Sequence, residues 1–296
     1  MSWHPPRLTQ AQIADYRRDG YVIVPGLMTR EEIQPLMETY EQDPLLGGAM
    51  GAVADSSGNA QNVVLWTQPG DDYIGQLPGL ARFVDAAETL LDQPVYHWHS
   101  KIVPKPPGSA GRWDWHQDYG YWYYEGCLFP EMLTVTVALD GMARDNGAME
   151  VIKGSHRFGR IDVKTLDKAS GTDPDRLALV MERCERVALE IGPGDGIVFD
   201  GLTLHASGPN TSRRNRTLLH LSYNTVANAP VGAGADENHA YEPLAKIADD
   251  ALLAHRWGKV FNPGRFHKRT PGGKVHAASP VGFTSVEPAK TVAAAE

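Results

Sequence analysis

The sequence predicts a mainly β protein with flanking helices, its core a double-sheet barrel of the jelly-roll type. Three stretches carry that reading. Val187-Ala-Leu-Glu-Ile191 reads as a strand, Gly192-Pro-Gly-Asp-Gly196 as a turn and Ile197-Val-Phe199 as the returning strand. Residues 202–208 follow closely enough to continue that sheet. Residues 112–119 are rich in aromatics and suit a strand better than a helix. Residues 216–223 form an apolar run that reads as a further strand. A strand, a Gly/Pro/Asp turn and a strand leading to a histidine make a recurring wall of such barrels.

The remaining elements follow in order. Thr9-x-x-Gln12 and Thr29-x-x-Glu32 each match a capping box that opens a helix, and they flank the strand Tyr21-Val-Ile-Val24. Residues 47–62, rich in Gly, Ala and Ser, read as a flexible loop or an active-site lid. Residues 77–91 read as a helix outside the barrel. Residues 161–186 form an insertion after Gly154-Ser-His156, with a helix over 173–185, and either cover the pocket mouth or make a solvated excursion. Residues 245–257 read as a late helix. The expectation is one domain over residues 1–266 and a tail, 267–296, with little order of its own.

Composition sets bounds on function. A hydrophobic share of 42% and a charged share of 22% are ordinary for a soluble globular chain. A net charge of −8 offers no basic field for nucleic acid. No apolar run is long enough for a membrane span, and the N-terminus lacks a signal-peptide pattern. Cys127 and Cys184 form no Cys-x-x-Cys pair, which fits a reducing compartment. The expectation is a cytoplasmic protein with a small-molecule substrate; oligomeric state is left open.

The chemistry concentrates in His116-Gln117-Asp118, His205 and Arg216. With 11 histidines in 296 residues, a His-x-Asp tripeptide arises by chance, so its context decides. On a strand, residues i and i+2 share a face, so His116 and Asp118 can grip one ion while Gln117 points away. With His205 they have the composition of the two-histidine, one-carboxylate face that leaves iron(II) with open positions. Arg216, Leu218 and His220 would share one face of their strand. An arginine facing a barrel interior needs an anion, and its planar fork suits a carboxylate. The plainer alternatives are a polar core cluster and an Arg216 ion pair with Asp114 or Asp200. His156 reads as a strand-end histidine bonded to backbone, and His97, His99 and His220 as core histidines that could line the pocket. Lys101, a lone lysine on an apolar strand, is a pocket candidate.

These motifs in series resemble the phytanoyl-CoA dioxygenase family of iron(II)- and 2-oxoglutarate-dependent oxygenases, whose core is a cupin-like double-stranded β-helix. The matching residues are Trp115-His116-Gln-Asp118-Tyr-Gly-Tyr-Trp122, Asp145 through His156, Pro193-Gly-Asp195, His205-Ala-Ser-Gly-Pro-Asn210 and Arg216, preceded by Asp19-Gly-Tyr-Val-Ile-Val-Pro25. Within the family the chain is most similar to ectoine hydroxylase-like small-molecule hydroxylases. Lys101 and Val103 stand where that type has Arg and Asn, and Ala148-Met149-Glu150 replaces its Pro-Leu-Met.

The resemblance implies that His116, Asp118 and His205 hold Fe(II), and that 2-oxoglutarate and O2 complete the site. Arg216 would hold the distal carboxylate of 2-oxoglutarate, with Ser207 and Lys101 assisting. Hydroxylation of an unactivated C–H would release succinate and CO2. A carboxylate at position 118, where related halogenases have a small residue, argues for hydroxylation. Trp122 matches the family's pocket tryptophan, so Trp122 and Tyr119 are the expected substrate contacts. The aromatic run 113–124 would wall the pocket or cage a cationic substrate. An acyl-CoA would need a basic patch near the motifs, and none is concentrated there, which favours a small polar metabolite resembling an amino acid or a compatible solute. The competing reading is a metal-binding barrel without oxygenase activity, either zinc-loaded and isomerase-like or a ligand sensor.

Overall fold

A computed structural model describes residues 5–42, 49–232, 240–254 and 284–289. Two helices, α1 (Gln10–Asp19) and α2 (Arg30–Gln42), flank strand β1 (Tyr21–Val24). Both open on the expected capping boxes. Thr9 Oγ1 accepts from the Gln12 amide at 3.2 Å while Gln12 Oε1 accepts from the Thr9 amide at 2.9 Å. Thr29 and Glu32 repeat the exchange.

The chain continues through β2 (Gly51–Ala54), β3 (Ala60–Trp66), α3 (Tyr73–Gln76), α4 (Ala81–Leu91), β4 (Val95–Lys105), β5 (Trp113–His116) and α5 (Tyr119–Trp122). Then come β6 (Met132–Ala138), β7 (Met149–Ile152), β8 (Val163–Leu166), β9 (Ala169–Thr172), α6 (Pro174–Arg183) and β10 (Arg186–Ala188). The last elements are β11 (Gly196–Asp200), β12 (His205–Ser207), β13 (Arg216–Thr225), α7 (Ala251–Ala254) and β14 (Ser285–Val286).

Eight strands form one antiparallel sheet, ordered β1-β11-β6-β13-β4-β3-β2-β14, and four form a second, ordered β10-β7-β12-β5. Period-two alternation decides what each face of the large sheet meets. Leu133, Val135 and Val137 of β6 and Leu219, Leu221 and Tyr223 of β13 pack with Ile13, Leu36 and Phe83 of the helices. The opposite face carries Ala138 and Leu218, which pack against Met149 and Val151 of the small sheet. The helices therefore seal one side of the large sheet and leave the inter-sheet space for the site.

Several expectations are corrected. The strands around the Gly192–Gly196 turn are not a hairpin: β10 lies in the small sheet and β11 in the large one. His205 accordingly does not continue the β11 sheet but sits on β12 of the small sheet. Residues 51–62 are a β-hairpin rather than a loop or lid, turning where Asp55 Oδ1 accepts from the Asn59 amide at 2.8 Å and Gly58 takes φ 84°. Residues 47–48 lie outside the described residues. The helix expected over 77–91 is interrupted at Leu80 (φ −58°, ψ 129°), where Leu80 bridges Ile247 and the Ala81 amide donates to Ile247 O. That same partnership holds residues 245–250 out of helix, so only Ala251–Ala254 is helical; residues 255–257 lie outside the described residues.

The 161–186 insertion contains the β8–β9 hairpin and α6, capped by Asp173. It packs on β5, and a Cβ at Gly171 would lie 3.0 Å from Trp115 O. Within the tail, β14 pairs with β2 at the sheet edge, and Asn62 and Ala289 exchange two hydrogen bonds.

Candidate active site

The first two candidate ligands are positioned by the end of a strand and the start of a helix. His116 ends β5, but Asp118 has left the strand, with φ −58° and ψ −43°, and begins the turn that becomes α5. The shared-face argument for an i, i+2 pair therefore fails, and a helical turn brings the carboxylate round instead. Gln117 does point away, buried, where Nε2 donates to Leu202 O (2.7 Å) and Gly159 O (2.9 Å) and Oε1 accepts from the Ile161 amide (2.7 Å). His205 begins β12 and is the cross-strand partner of His116.

Three ligand atoms converge. His116 Nε2 lies 3.7 Å and His205 Nε2 3.9 Å from Asp118 Oδ1, and one ligand atom from each residue falls within 4.8 Å of the others. The other ring nitrogens face backbone carbonyls: His116 Nδ1 lies 2.7 Å from Asp114 O and His205 Nδ1 3.0 Å from Thr203 O. A carbonyl only accepts, so each Nδ1 carries the proton and each Nε2 turns a lone pair toward Asp118. Such a bond to a backbone carbonyl sets a metal-ligating histidine's tautomer and orientation.

Electrostatics agree. Burial, reinforced by His205, drives the His116 imidazole down to about 3, and burial also lowers His205. Burial pushes the Asp118 carboxyl up, but Lys101 and the two imidazoles outweigh it and hold the carboxyl below its ordinary range. Two neutral imidazoles and one carboxylate fit a divalent ion.

The triad opens into a cavity of about 420 Å³ between the sheets, also lined by Lys101, Trp113, Met149, Phe199, Ser207, Arg216, Leu218 and His220. Arg216, Leu218 and His220 come from alternate positions of β13, as their shared face requires. Arg216 is 1% exposed, and its one hydrogen bond is from Nη1 to Val103 O at 3.4 Å; Nε and Nη2 have no partner among the described residues. Neither expected structural acid takes it. Asp114 accepts from Ser56, and Asp200 accepts from Tyr16. Burial pushes the guanidinium down to about 9 although Asp140 pulls the other way. A buried cation with idle donors, in the cavity of a metal triad, is a fit for a bidentate carboxylate.

Other candidates are sorted by the packing. Lys101 Nζ lies 3.8 Å from Asp118 Oδ1, and its strand partner His220 has Nδ1 2.8 Å from Thr136 Oγ1. His97 Nε2 lies 2.7 Å from Ser100 Oγ, and His156 Nε2 lies 3.2 Å from Arg17 O. Trp122 and Tyr119 do not reach the cavity. They pack in a core with Tyr96, Trp98 and Met132, where the Tyr119 hydroxyl donates to Cys127 O, because the α5 turn carries them away from the triad. The aromatic wall is Trp113 and Phe199, and a cavity facing Lys101 and Arg216 is no cage for a cation. Neither 51–62 nor 161–186 lines it. The reading of the sequence missed Met149 and Phe199 as wall residues; strand alternation was the available signal.

The sequence pattern of the phytanoyl-CoA dioxygenase family matches residues 16–218, spanning the triad and Arg216. The chain belongs to the phytanoyl-CoA dioxygenase family. It is similar to the L-proline trans-4-hydroxylase of Streptomyces griseoviridis, 28% identical over 236 residues that cover 73% of this chain and 86% of that protein. It is also similar to the ectoine dioxygenase of Sphingopyxis alaskensis, 28% identical over 237 residues, 75% of this chain and 77% of that protein. The crystal structure of EctD from S. alaskensis with 2-oxoglutarate and 5-hydroxyectoine superposes with a TM-score of 0.67 at 25% identity, covering 83% of this chain and 90% of that one. The fold is the jelly-roll of these oxygenases, and the chain is a 2-oxoglutarate-dependent dioxygenase that hydroxylates a small metabolite.

Proposed function

We propose that this enzyme hydroxylates an unactivated C–H bond of a small polar metabolite resembling an amino acid or a compatible solute, with Fe(II) held by His116, Asp118 and His205. The observation that carries the reading is Arg216, a buried guanidinium with idle donors in the cavity of the triad. Bound iron would supply the activation of O2 that couples decarboxylation of 2-oxoglutarate, to succinate and CO2, to hydroxylation.

The chain's own residues do the rest. The backbone-bonded Nδ1–H groups of both histidines hold their Nε2 lone pairs ready at neutral pH. Arg216 binds the distal carboxylate of 2-oxoglutarate through two parallel N–H donors, and the Ser207 hydroxyl adds a third. Lys101 adds positive charge beside Asp118, where a carboxylate of the co-substrate or substrate would be favoured. Trp113, Met149, Phe199 and Leu218 exclude water from the reacting centre.

The triad and Arg216, drawn from β5, the start of α5, β12 and β13, support one catalytic domain over residues 1–266. Free Cys127 and Cys184 support a cytoplasmic location, and no described helix is long and apolar enough to cross a membrane.

The test is anaerobic titration of the iron-loaded protein with 2-oxoglutarate. It should produce a weak visible charge-transfer band, and Arg216→Ala should weaken that binding by about two orders of magnitude. Absence of a band, with zinc retained after metal-neutral purification and no succinate formed on adding iron, would establish the non-oxygenase barrel instead.

A further inference from the structure

Behind the cavity wall lies a second buried cation with no part in the reaction as described. Lys105 ends β4, is 1% exposed and is the cross-strand partner of Arg216. Its ammonium has three N–H groups, and three acceptors surround it: Ser207 Oγ at 2.8 Å, Ser207 O at 3.4 Å, and Gly208 O. None is a carboxylate.

The stem is closed in at Gly147, and the backbone is tied at Asn210. A Cβ at Gly147, which takes φ 79°, would lie 2.9 Å from Lys105 Cδ. Asn210 Nδ2 donates to Lys105 O at 2.8 Å and to Arg214 O at 2.7 Å, tying the strand end to the loop before β13. Burial, with Arg216 beside it, pulls the Lys105 ammonium well below its ordinary range, and the three acceptors around Nζ, one for each N–H, are what hold its proton.

Ser207 translates this into direction. A hydroxyl offers one proton and two lone pairs. An N–H of Lys105 takes one lone pair of Ser207 Oγ, which leaves the hydroxyl proton for another acceptor, and Ser207 lines the cavity with Arg216. We propose that Lys105 is a positioning residue for the co-substrate: it turns the Ser207 hydroxyl proton toward the anion held by Arg216 and places a second positive charge behind it. The inference rests on the reading of Arg216 as the carboxylate anchor and deepens it. The anion subsite is then two cations and an oriented hydroxyl rather than one arginine.

The experiment is calorimetric titration of 2-oxoglutarate into the iron(II)-loaded full-length protein under anaerobic conditions, with thermal unfolding of each variant recorded without 2-oxoglutarate. Lys105→Met should weaken 2-oxoglutarate binding about tenfold, the size expected of a lost charge-assisted contact, without lowering the ligand-free unfolding midpoint. Ser207→Ala should also weaken binding, and the double variant should lose less than the product of the two single losses, because Lys105 acts through Ser207. If Lys105→Met does not fold, Lys105→Gln, which keeps length and polarity without charge, is judged by the same criteria. A dissociation constant within twofold of the unaltered protein for the Lys105 variant, while Arg216→Ala binds poorly, overturns the role of Lys105 alone. Losses that multiply independently overturn its action through Ser207. Normal binding by Arg216→Ala as well removes the anchor on which both readings stand.

Discussion

Gln117, between two proposed ligands, makes none of the chemistry and holds its geometry. Its three hydrogen bonds tie the β5–α5 junction to Gly159, Ile161 and Leu202, the last just before His205. Gln117→Leu leaves one buried N–H and two carbonyls without partners, at a cost of roughly 3 kcal/mol in urea unfolding. It should also weaken metal binding about tenfold, as loss of an orienting partner does. Metal affinity unchanged in a folded Gln117→Leu would show that the junction is held by other contacts. The two tryptophans nearby should separate cleanly. Trp122 is 1% exposed in a core with Trp98 and Tyr96, so Trp122→Ala should cost about 3–5 kcal/mol of stability. Trp113 lines the cavity at intermediate burial, so Trp113→Ala should instead raise the substrate KM with a smaller loss of stability. Equal stability losses would contradict the placement of the two rings.

Elements were legible where one period governed them, and misread where a partner from far along the chain intervened. The capping boxes at Thr9 and Thr29, and the alternation that puts Arg216, Leu218 and His220 on one face, are local patterns that survive folding. The break at Leu80 is not local, because Ile247 supplies the partner that unwinds it. Asp118 was placed on a strand by its aromatic neighbours, yet the strand ends at His116 and a helical turn follows. The metal triad was legible all the same, since both geometries return the carboxylate to the same imidazoles. Lys105 was hidden, because its role needs Ser207, and no spacing rule connects them. Outside the barrel, Arg82 of α4 bonds Glu32 of α2, with Arg82 Nη1 3.0 Å from Glu32 Oε2, and both side chains are buried. Arg82→Met would strand Glu32 inside the helix layer and should cost about 3–5 kcal/mol, read from the urea midpoint. A cost under 1 kcal/mol would mean that the pair is no clamp between the helices.

At the scale of the whole molecule, the site leaves a signature in the dependence of stability on pH. Burial holds His116 down to about 3 and lowers His205 and His220, with Lys101 adding to the effect on His220. In the unfolded chain each titrates near about 6.5. Below that pH the unfolded state binds protons that the native state refuses, so stability falls as pH falls, by about 1.4 kcal/mol per unit for each group that stays neutral. Asp118, held below its ordinary range, acts in the same direction once pH drops through the carboxylate region. Asp200 opposes them, since burial raises its carboxyl, but it is one group against three imidazoles. Protein stripped of metal by chelation should therefore lose unfolding temperature steeply between pH 7 and pH 5, measured by circular dichroism. A metal ion uses the same Nε2 lone pairs, and because the native imidazoles stay neutral over that interval it meets no competing proton there, so the extra stability it confers should persist from pH 7 to pH 5. A flat profile for the metal-free protein would mean that the three imidazoles take up protons without unfolding, which the inter-sheet cavity as built does not allow.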